Sequence, residues 1–280
     1  SKGNHLKNLR IPNAETVTDL TWESTGLRLS IAAGSNIYCA SVRPNYKWCY
    51  LSNGTLVFGF QKSDRVEFCV VFWDTKSDEK YMKYVKDLTE IKGEGEFCAI
   101  FSRPDEDITQ IDLCNSIGTT IESKQVALDV TVYGMSRTHI VVCSENYVYL
   151  WQYKSQTSRL TMFEPTGQVG YRKLGREICW FIEEKPDVNS IYDMDQFDNT
   201  KECEDVICAI AVSEQMLILG RESGALRRFT LPHITEESKL FWKPLPMLIG
   251  INCDQTRLAL IDITGVLNIL EINSQGGSVL

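Results

Sequence analysis

Three histidines in 280 residues leave little material for a His-centred nucleophile. His5 sits near the start, His139 opens an apolar run and His233 follows Pro232 in a polar stretch. None has a serine or cysteine spaced to act with it, although a triad is assembled in space and spacing alone leaves that open. The chain has no G-x-x-x-x-G-K-[ST] loop and no G-x-G-x-x-G turn to cradle phosphates, and no G-x-S-x-G elbow. Gly93-Glu94-Gly95 has no third glycine and no helical pattern behind it, so it predicts a hairpin turn. No apolar run reaches the ~18–20 residues that span a bilayer. A charged-plus-apolar signal pattern is missing, and position 1 is Ser rather than Met. A piece of a longer protein, with its targeting information elsewhere, is the expectation.

Cysteine is plentiful, with ten residues, but no two form a Cys-x-x-Cys pair. Zinc sites usually show that close pairing. Several cysteines lie inside apolar runs, as in Phe68-Cys69-Val70-Val71 and Val141-Val142-Cys143. There a free thiol behaves as a small hydrophobe. Reduced, buried thiols, no metal, no cofactor and a reducing compartment are expected. The net charge of −8 argues against a general nucleic-acid binder, because such binding neutralises phosphates with Lys and Arg. Residues 171–205 carry ten acidic against five basic side chains. Many carboxylates are present, but no spacing singles out the pair a glycosidase needs.

What is present is β periodicity. Short runs rich in Val, Ile, Thr, Tyr and Phe alternate with Gly, Asn, Asp and Ser, the signature of strands and tight turns. A unit of apolar strand, polar turn and second strand recurs with turn centres near 36, 64, 106, 146, 224 and 265. Three gaps, of roughly 42, 40 and 41 residues, fall on the WD-type blade period. The first gap, about 28, predicts an early blade with trimmed strands. The gap of about 78 holds either two blades or one blade with an insertion, and an acidic insertion over 162–205 is the favoured choice. Within it, 183–205 is expected to be a solvated excursion, whereas Glu177–Ile182 has the run of a strand. The fold expected is an all-β, WD-repeat-like β-propeller with six recognisable blades in an incomplete or truncated seven-bladed ring. Residues 1–15 are expected to be a linker or closing strand, 16–273 the propeller and 274–280 a tail.

Interaction residues are sought among exposed cations and aromatics, since Trp, Tyr and Arg dominate contact hot spots. Arg43, Tyr46 and Lys47 qualify, as do Arg221, Arg227 and Arg228 in the unit 220–229. Trp48 is expected to wedge between blades. Trp73, in the Trp-Asp dipeptide that ends Phe72-Trp73-Asp74, is expected to do the same.

Several runs lie outside the general WD-repeat consensus: Gly26-Leu27-Arg28-Leu29, Arg43-Pro44-Asn45-Tyr46-Lys47-Trp48, Cys69 to Lys76, Leu113-Cys114-Asn115-Ser116-Ile117-Gly118-Thr119 and Gly220-Arg221-Glu222-Ser223-Gly224. In these the chain resembles the tandem-propeller WD-repeat subunits of intraflagellar transport complex A, of the WD-repeat-protein-35 type. The resemblance covers nearly the whole chain except 162–205. It implies a second propeller lacking its last blade, a non-catalytic scaffold role and partners among the other complex A subunits. It further implies retrograde transport, cilium assembly, help for membrane cargo entering cilia, and a place at the cilium and basal body on the cytoplasmic side. A coat-like vesicle-trafficking subunit or other tandem-propeller adaptor shares the architecture, and a propeller glycosidase is the enzymatic alternative.

Overall fold

The computed structural model describes residues 16–41, 46–61, 66–105, 107–154, 176–187 and 191–272. Among them there is no helix, and every strand pairing is antiparallel. The chain divides into two units, 1–46 and 47–280. The expected linker or closing strand 1–15, the expected tail 274–280, and 162–175 and 188–190 of the expected insertion lie outside the described residues.

The first unit holds one three-stranded meander, β1 (Val17–Trp22), β2 (Arg28–Ala33) and β3 (Asn36–Ser41). Its three strands, where four are usual, account for the short first interval between turn centres.

The second unit carries five meanders. The second blade is β4 (Lys47–Tyr50), β5 (Thr55–Gln61), β6 (Phe68–Asp74) and β7 (Lys80–Val85). The third is β8 (Leu88–Glu94), β9 (Phe97–Asp105), β10 (Ile108–Cys114) and β11 (Thr120–Val126). The fourth is β12 (Val132–Met135), β13 (His139–Cys143), β14 (Tyr147–Gln152) and β15 (Arg176–Phe181). The fifth is β16 (Ile207–Val212), β17 (Met216–Arg221), β18 (Ala225–Thr230) and β19 (Thr235–Phe241). The sixth has three strands, β20 (Pro246–Ile251), β21 (Arg257–Asp262) and β22 (Leu267–Glu271). Each turn centre read from the sequence falls between the second and third strands of a blade or, in the first blade, on the first residue of the third strand.

The core is a series of sandwiches between successive blades, because strand side chains alternate between two faces. In β13, Ile140 and Val142 pack toward Phe101, Ile111 and Leu113 of the third blade. Val141 and Cys143 pack toward Leu217, Leu219 and Phe229 of the fifth. Both faces are covered, so β13 reads as an unbroken apolar run. One sandwich further back, Val70 and Phe72 of β6 meet Ile91, Cys98 and Ile100. Close approach there depends on Gly93, where a Cβ would stand 2.5 Å from the Cys49 sulfur. At the far end, Ile218 and Leu226 meet Leu258, Leu260 and Leu270.

Two tryptophans depart from expectation. Trp48 is 60% exposed, because alternation along β4 turns Cys49 inward and Trp48 and Tyr50 outward. Phe72, fully buried, is the side chain that fills the space between blades, while Trp73 lies at the strand's outer end. There the Trp73 indole N–H donates to Asp78 at 2.8 Å, and Lys80 lies 5.0 Å from its ring centre.

Within the described part of the acidic insertion, the strand expected from the Glu177–Ile182 run is present: Arg176–Phe181 is the outer strand of the fourth blade, paired along β14 from Tyr147↔Phe181 to Gln152↔Arg176. The departure from a solvated excursion lies in 191–201. There Tyr192 meets Tyr149 edge-on at 5.2 Å, and Phe197 meets Tyr147 at the same separation. The Ala127 N–H donates to the Tyr192 hydroxyl at 2.9 Å, and the Lys201 N–H to the Tyr147 hydroxyl at 3.0 Å. Acidic residues face outward from this strap while its two aromatics are half-buried against the blade. Net charge hid the anchoring because the signal lies in two residues.

Candidate functional site

The six side chains proposed as contacts fall into different environments. Arg43 lies outside the described residues. Tyr46, in the first unit, is 57% exposed. Lys47 opens β4 and reaches Glu90 of β8 at 3.4 Å, tying the second blade to the third.

Arg221 ends β17 and is only 2% exposed. Its Nε donates to the Asp205 carbonyl at 2.8 Å and lies 3.1 Å from that residue's carboxylate. Its Nη2 pairs with Glu183 and sits 3.6 Å from the Cys203 sulfur. Asp205 in turn accepts from the Ser223 N–H and hydroxyl, each at 2.7 Å. The guanidinium therefore clamps the connection between the fourth and fifth blades onto the fifth blade's central hairpin. That hairpin needs Gly224, whose φ is +88° and where a Cβ would run into the Trp242 carbonyl.

Arg227 and Arg228 are adjacent on β18 and so face opposite sides of the sheet. Arg227 holds Glu236 with two parallel bonds of 2.9 and 2.7 Å and donates to the Ile182 carbonyl of the fourth blade. The hydrogen bonds from Arg227 keep the Glu236 carboxyl below its usual range. Arg228 turns the other way, pairs with Glu237 at 3.0 Å and borders a small cleft with Ile218, Leu258 and Leu270. The structure thus brings Arg221 and Arg227 together with Glu183, Asp205 and Glu236 around one blade junction. All these cations are committed inside the chain.

His139 is 2% exposed, its Nδ1 is 2.8 Å from the Thr138 hydroxyl, and burial pulls its pKa down to about 4. His233 is exposed on a loop. Among the described residues, no three His, Cys, Asp or Glu side chains converge as a metal cage requires.

Two exposed apolar surfaces were not read from the sequence. One is the outward face of β4, with Trp48 60% and Tyr50 56% exposed. The other is the face of the sixth blade formed by Leu248, Leu267 and Ile269. The signal for the first was present: Cys49 and Leu51 fix the inward parity of β4, which sends Trp48 and Tyr50 to the other side.

Comparison with known proteins follows the fold. A family model described as the WDR35 second beta-propeller matches residues 48–279. The chain is 38% identical over 278 residues to WD repeat-containing protein 35 of Rattus norvegicus, and 37% identical over 286 residues to that of Homo sapiens. Each alignment covers 98% of this chain and 23% or 24% of the relative, so the chain spans about a quarter of the length of the curated relatives it matches. Among solved structures, the β-propeller domain of Myceliophteria thermophila Cps50 (Swd1) aligns with a TM-score of 0.52 at 12% identity, covering 92% of this chain and 84% of that one. Kluyveromyces lactis Hsv2p aligns with a TM-score of 0.50 at 10% identity, covering 85% and 62%. At those identities the likeness is one of fold.

Proposed function

Because this chain belongs to the WDR35 second beta-propeller family, we propose that it serves as a non-catalytic scaffold propeller of intraflagellar transport complex A. In this role it holds other complex A subunits, supports retrograde transport and cilium assembly, and helps membrane cargo enter the cilium. Its place is the cilium and basal body, on the cytoplasmic side.

The observation that carries the proposal to particular residues is the exposed pair Trp48 and Tyr50 on β4, held in place by buried Cys49 between them. Aromatic side chains on a rigid strand offer large contact area at low entropic cost. Arg43, Tyr46 and Lys47, on the approach to β4, are proposed as polar contacts. Arg221, Arg227 and Arg228 enter the proposal as residues that set the shape of the fifth blade's surface through their internal ion pairs.

Affinity purification of the intact protein from ciliated cells tests this, comparing the parent with Trp48→Ala/Tyr50→Ala. Exposed positions change stability by only about 0.5 kcal/mol each, so the variant stays folded. Loss of complex A subunits from the purified material is the expected result. Undiminished recovery would move the interface elsewhere, and recovery of vesicle-coat subunits in place of complex A would favour a coat-like role.

A further inference from the structure

The ten cysteines are all free, yet their surroundings differ sharply. Cys143 is wholly buried among apolar side chains, and burial pushes its thiol well above the usual range. Cys208 is pushed up to about 11, again by burial first. Such thiols are shielded from oxidants in solution. The junction of the second and third blades is different, because three thiols and a lysine meet there. Cys49 comes from β4, Cys98 from β9 and Cys114 from β10.

Cys98 and Cys114 are direct partners across the β9–β10 ladder, and both side chains enter the same core between blades. Directly opposed residues in an antiparallel pair have Cα atoms about 4.5–5.5 Å apart, within the roughly 4.4–6.8 Å span that a disulfide bridges. Cys49 of β4 lies in the same core beside them. Lys83 of β7 crosses from the second blade, with its Nζ 3.7 Å from the Cys114 sulfur. The same ammonium is 2.9 Å from Asp112 and 2.5 Å from the Thr120 hydroxyl. Thr120 is itself exposed and lies 3.8 Å from the Cys114 sulfur, and the Lys83 side chain is 25% exposed. Cys114 has no exposed surface of its own, so Lys83 and Thr120 form a thin polar cover over it.

We propose that Cys98 and Cys114 are a reversible dithiol–disulfide pair, in which hydrogen peroxide oxidises Cys114 first and Cys98 resolves it. The Cys114 thiolate attacks one peroxide oxygen, the O–O bond breaks, and hydroxide leaves to be protonated to water. Cys114 is then a sulfenic acid. The Cys98 sulfur attacks the Cys114 sulfur, the S–O bond breaks, and the departing hydroxide takes the Cys98 proton as a second water. Two thiols have given two electrons to one peroxide, and a cross-strand disulfide joins β9 to β10.

The assignment of roles follows from the groups that face Cys114. The neighbouring Cys98 thiol lowers the Cys114 pKa most, burial works against ionisation, and the Lys83 charge and the Thr120 hydroxyl favour it, with Asp112 opposing, so the Cys114 thiol is lowered overall. Cys114 is also the sulfur with the Lys83 ammonium at 3.7 Å and the Thr120 hydroxyl at 3.8 Å, which places it to ionise and react first. A thiol beside a lysine, with a second thiol opposite it on the neighbouring strand, is the arrangement of an oxidisable cysteine and its resolving partner.

The test treats the intact protein with hydrogen peroxide under conditions that leave its circular dichroism unchanged, blocks free thiols, and maps non-reduced peptides by mass spectrometry. A Cys98–Cys114-linked peptide that disappears with dithiothreitol is expected. In Cys98→Ser the same treatment should leave a Cys114 sulfenic acid that dimedone captures. Lys83→Met should slow Cys114 oxidation several-fold, and Lys83→Arg should restore most of the rate. Oxidation confined to the exposed Cys39 and Cys253, or a link from Cys98 to Cys49 with Cys114 still free, would overturn the proposal.

Discussion

The fourth and sixth blades are built from similar apolar strands and reach opposite ends of the burial scale. All five residues of β13 and the first five of β14 are buried. In β21 and β22 burial alternates, with Leu258, Leu260 and Leu270 inside and Ala259, Leu267 and Ile269 outside. The fourth blade has a neighbour on each face, the third through Trp151 and Tyr149 and the fifth through Leu150 and Trp180. The sixth blade's described contacts lie on one face, toward the fifth. The same side-chain chemistry is therefore a core in one sheet and a surface in the other, and energetic weight should follow coverage rather than hydrophobicity.

The largest effect expected is from Trp151→Ala. Trp151 is fully buried between the third and fourth blades, and removing an indole from such a site costs about 3–5 kcal/mol. The matched change on the uncovered face, Ile269→Ala, should cost about 0.5 kcal/mol or less, since the side chain is 62% exposed. Urea unfolding of both variants measures the contrast. Equal costs would mean that something covers the sixth blade in solution.

Next is pH. His139 stands at the start of the all-buried β13, and its folded pKa is lowered by burial to about 4 from 6.5. A lowered histidine pKa means that the unfolded chain binds the proton more readily. The associated stability is complete above about pH 6.5 and falls as pH drops toward 4, by roughly 3 kcal/mol in all. His139→Gln should flatten that part of the stability–pH curve. A curve unchanged by the substitution would show that His139 is hydrated rather than sealed.

The strap over the fourth blade is expected to matter to a lesser but clear degree. Replacing 187–201 by a short Gly/Ser linker removes Tyr192 and Phe197 from Tyr149 and Tyr147. Two half-buried aromatic contacts and the hydrogen bonds with them should together amount to about 2 kcal/mol, read as a fall of several degrees in Tm. A midpoint unchanged within a degree would return the strap to the status of a solvated loop. Arg221→Met should be of similar or slightly smaller size, about 2 kcal/mol, because Asp205 and Glu183 lose their partner but are themselves partly exposed. Limited proteolysis within 183–205 would then accelerate.

How much of this was legible follows the layers of each blade. The second and third strands, such as β5 and β6 or β17 and β18, lie between two other strands and carry dense apolar runs, so they and the hairpins joining them stood out. The first and last strands were harder. β12 is four residues long and includes Gly134, which leaves space for Val212 of the next blade. β19, Thr235–Phe241, carries Glu236, Glu237 and Lys239 and has the composition of a loop; its pairing along β18 makes it a strand. Of the candidate contacts, Tyr46 is exposed. The burial of Arg221 and Arg227 was not legible, because their partners Glu183, Asp205 and Glu236 are acidic residues among many, brought close only by the blade junction.

The sequence by itself determined the unit and its count. Hairpin chemistry and alternation are local, so the six centres near 36, 64, 106, 146, 224 and 265 mark six sheets, and the runs shared with the WD repeat-containing protein 35 family mark the kinship. Tertiary structure alone decided which face of each sheet is covered, which cations are spent inside, and which thiols meet. The β9–β10 hairpin by itself sets Cys98 opposite Cys114, but Cys49 and Lys83 belong to the preceding blade. Their arrival beside that pair depends on one blade stacking on the next, and that juxtaposition leaves no periodic trace in the order of the residues.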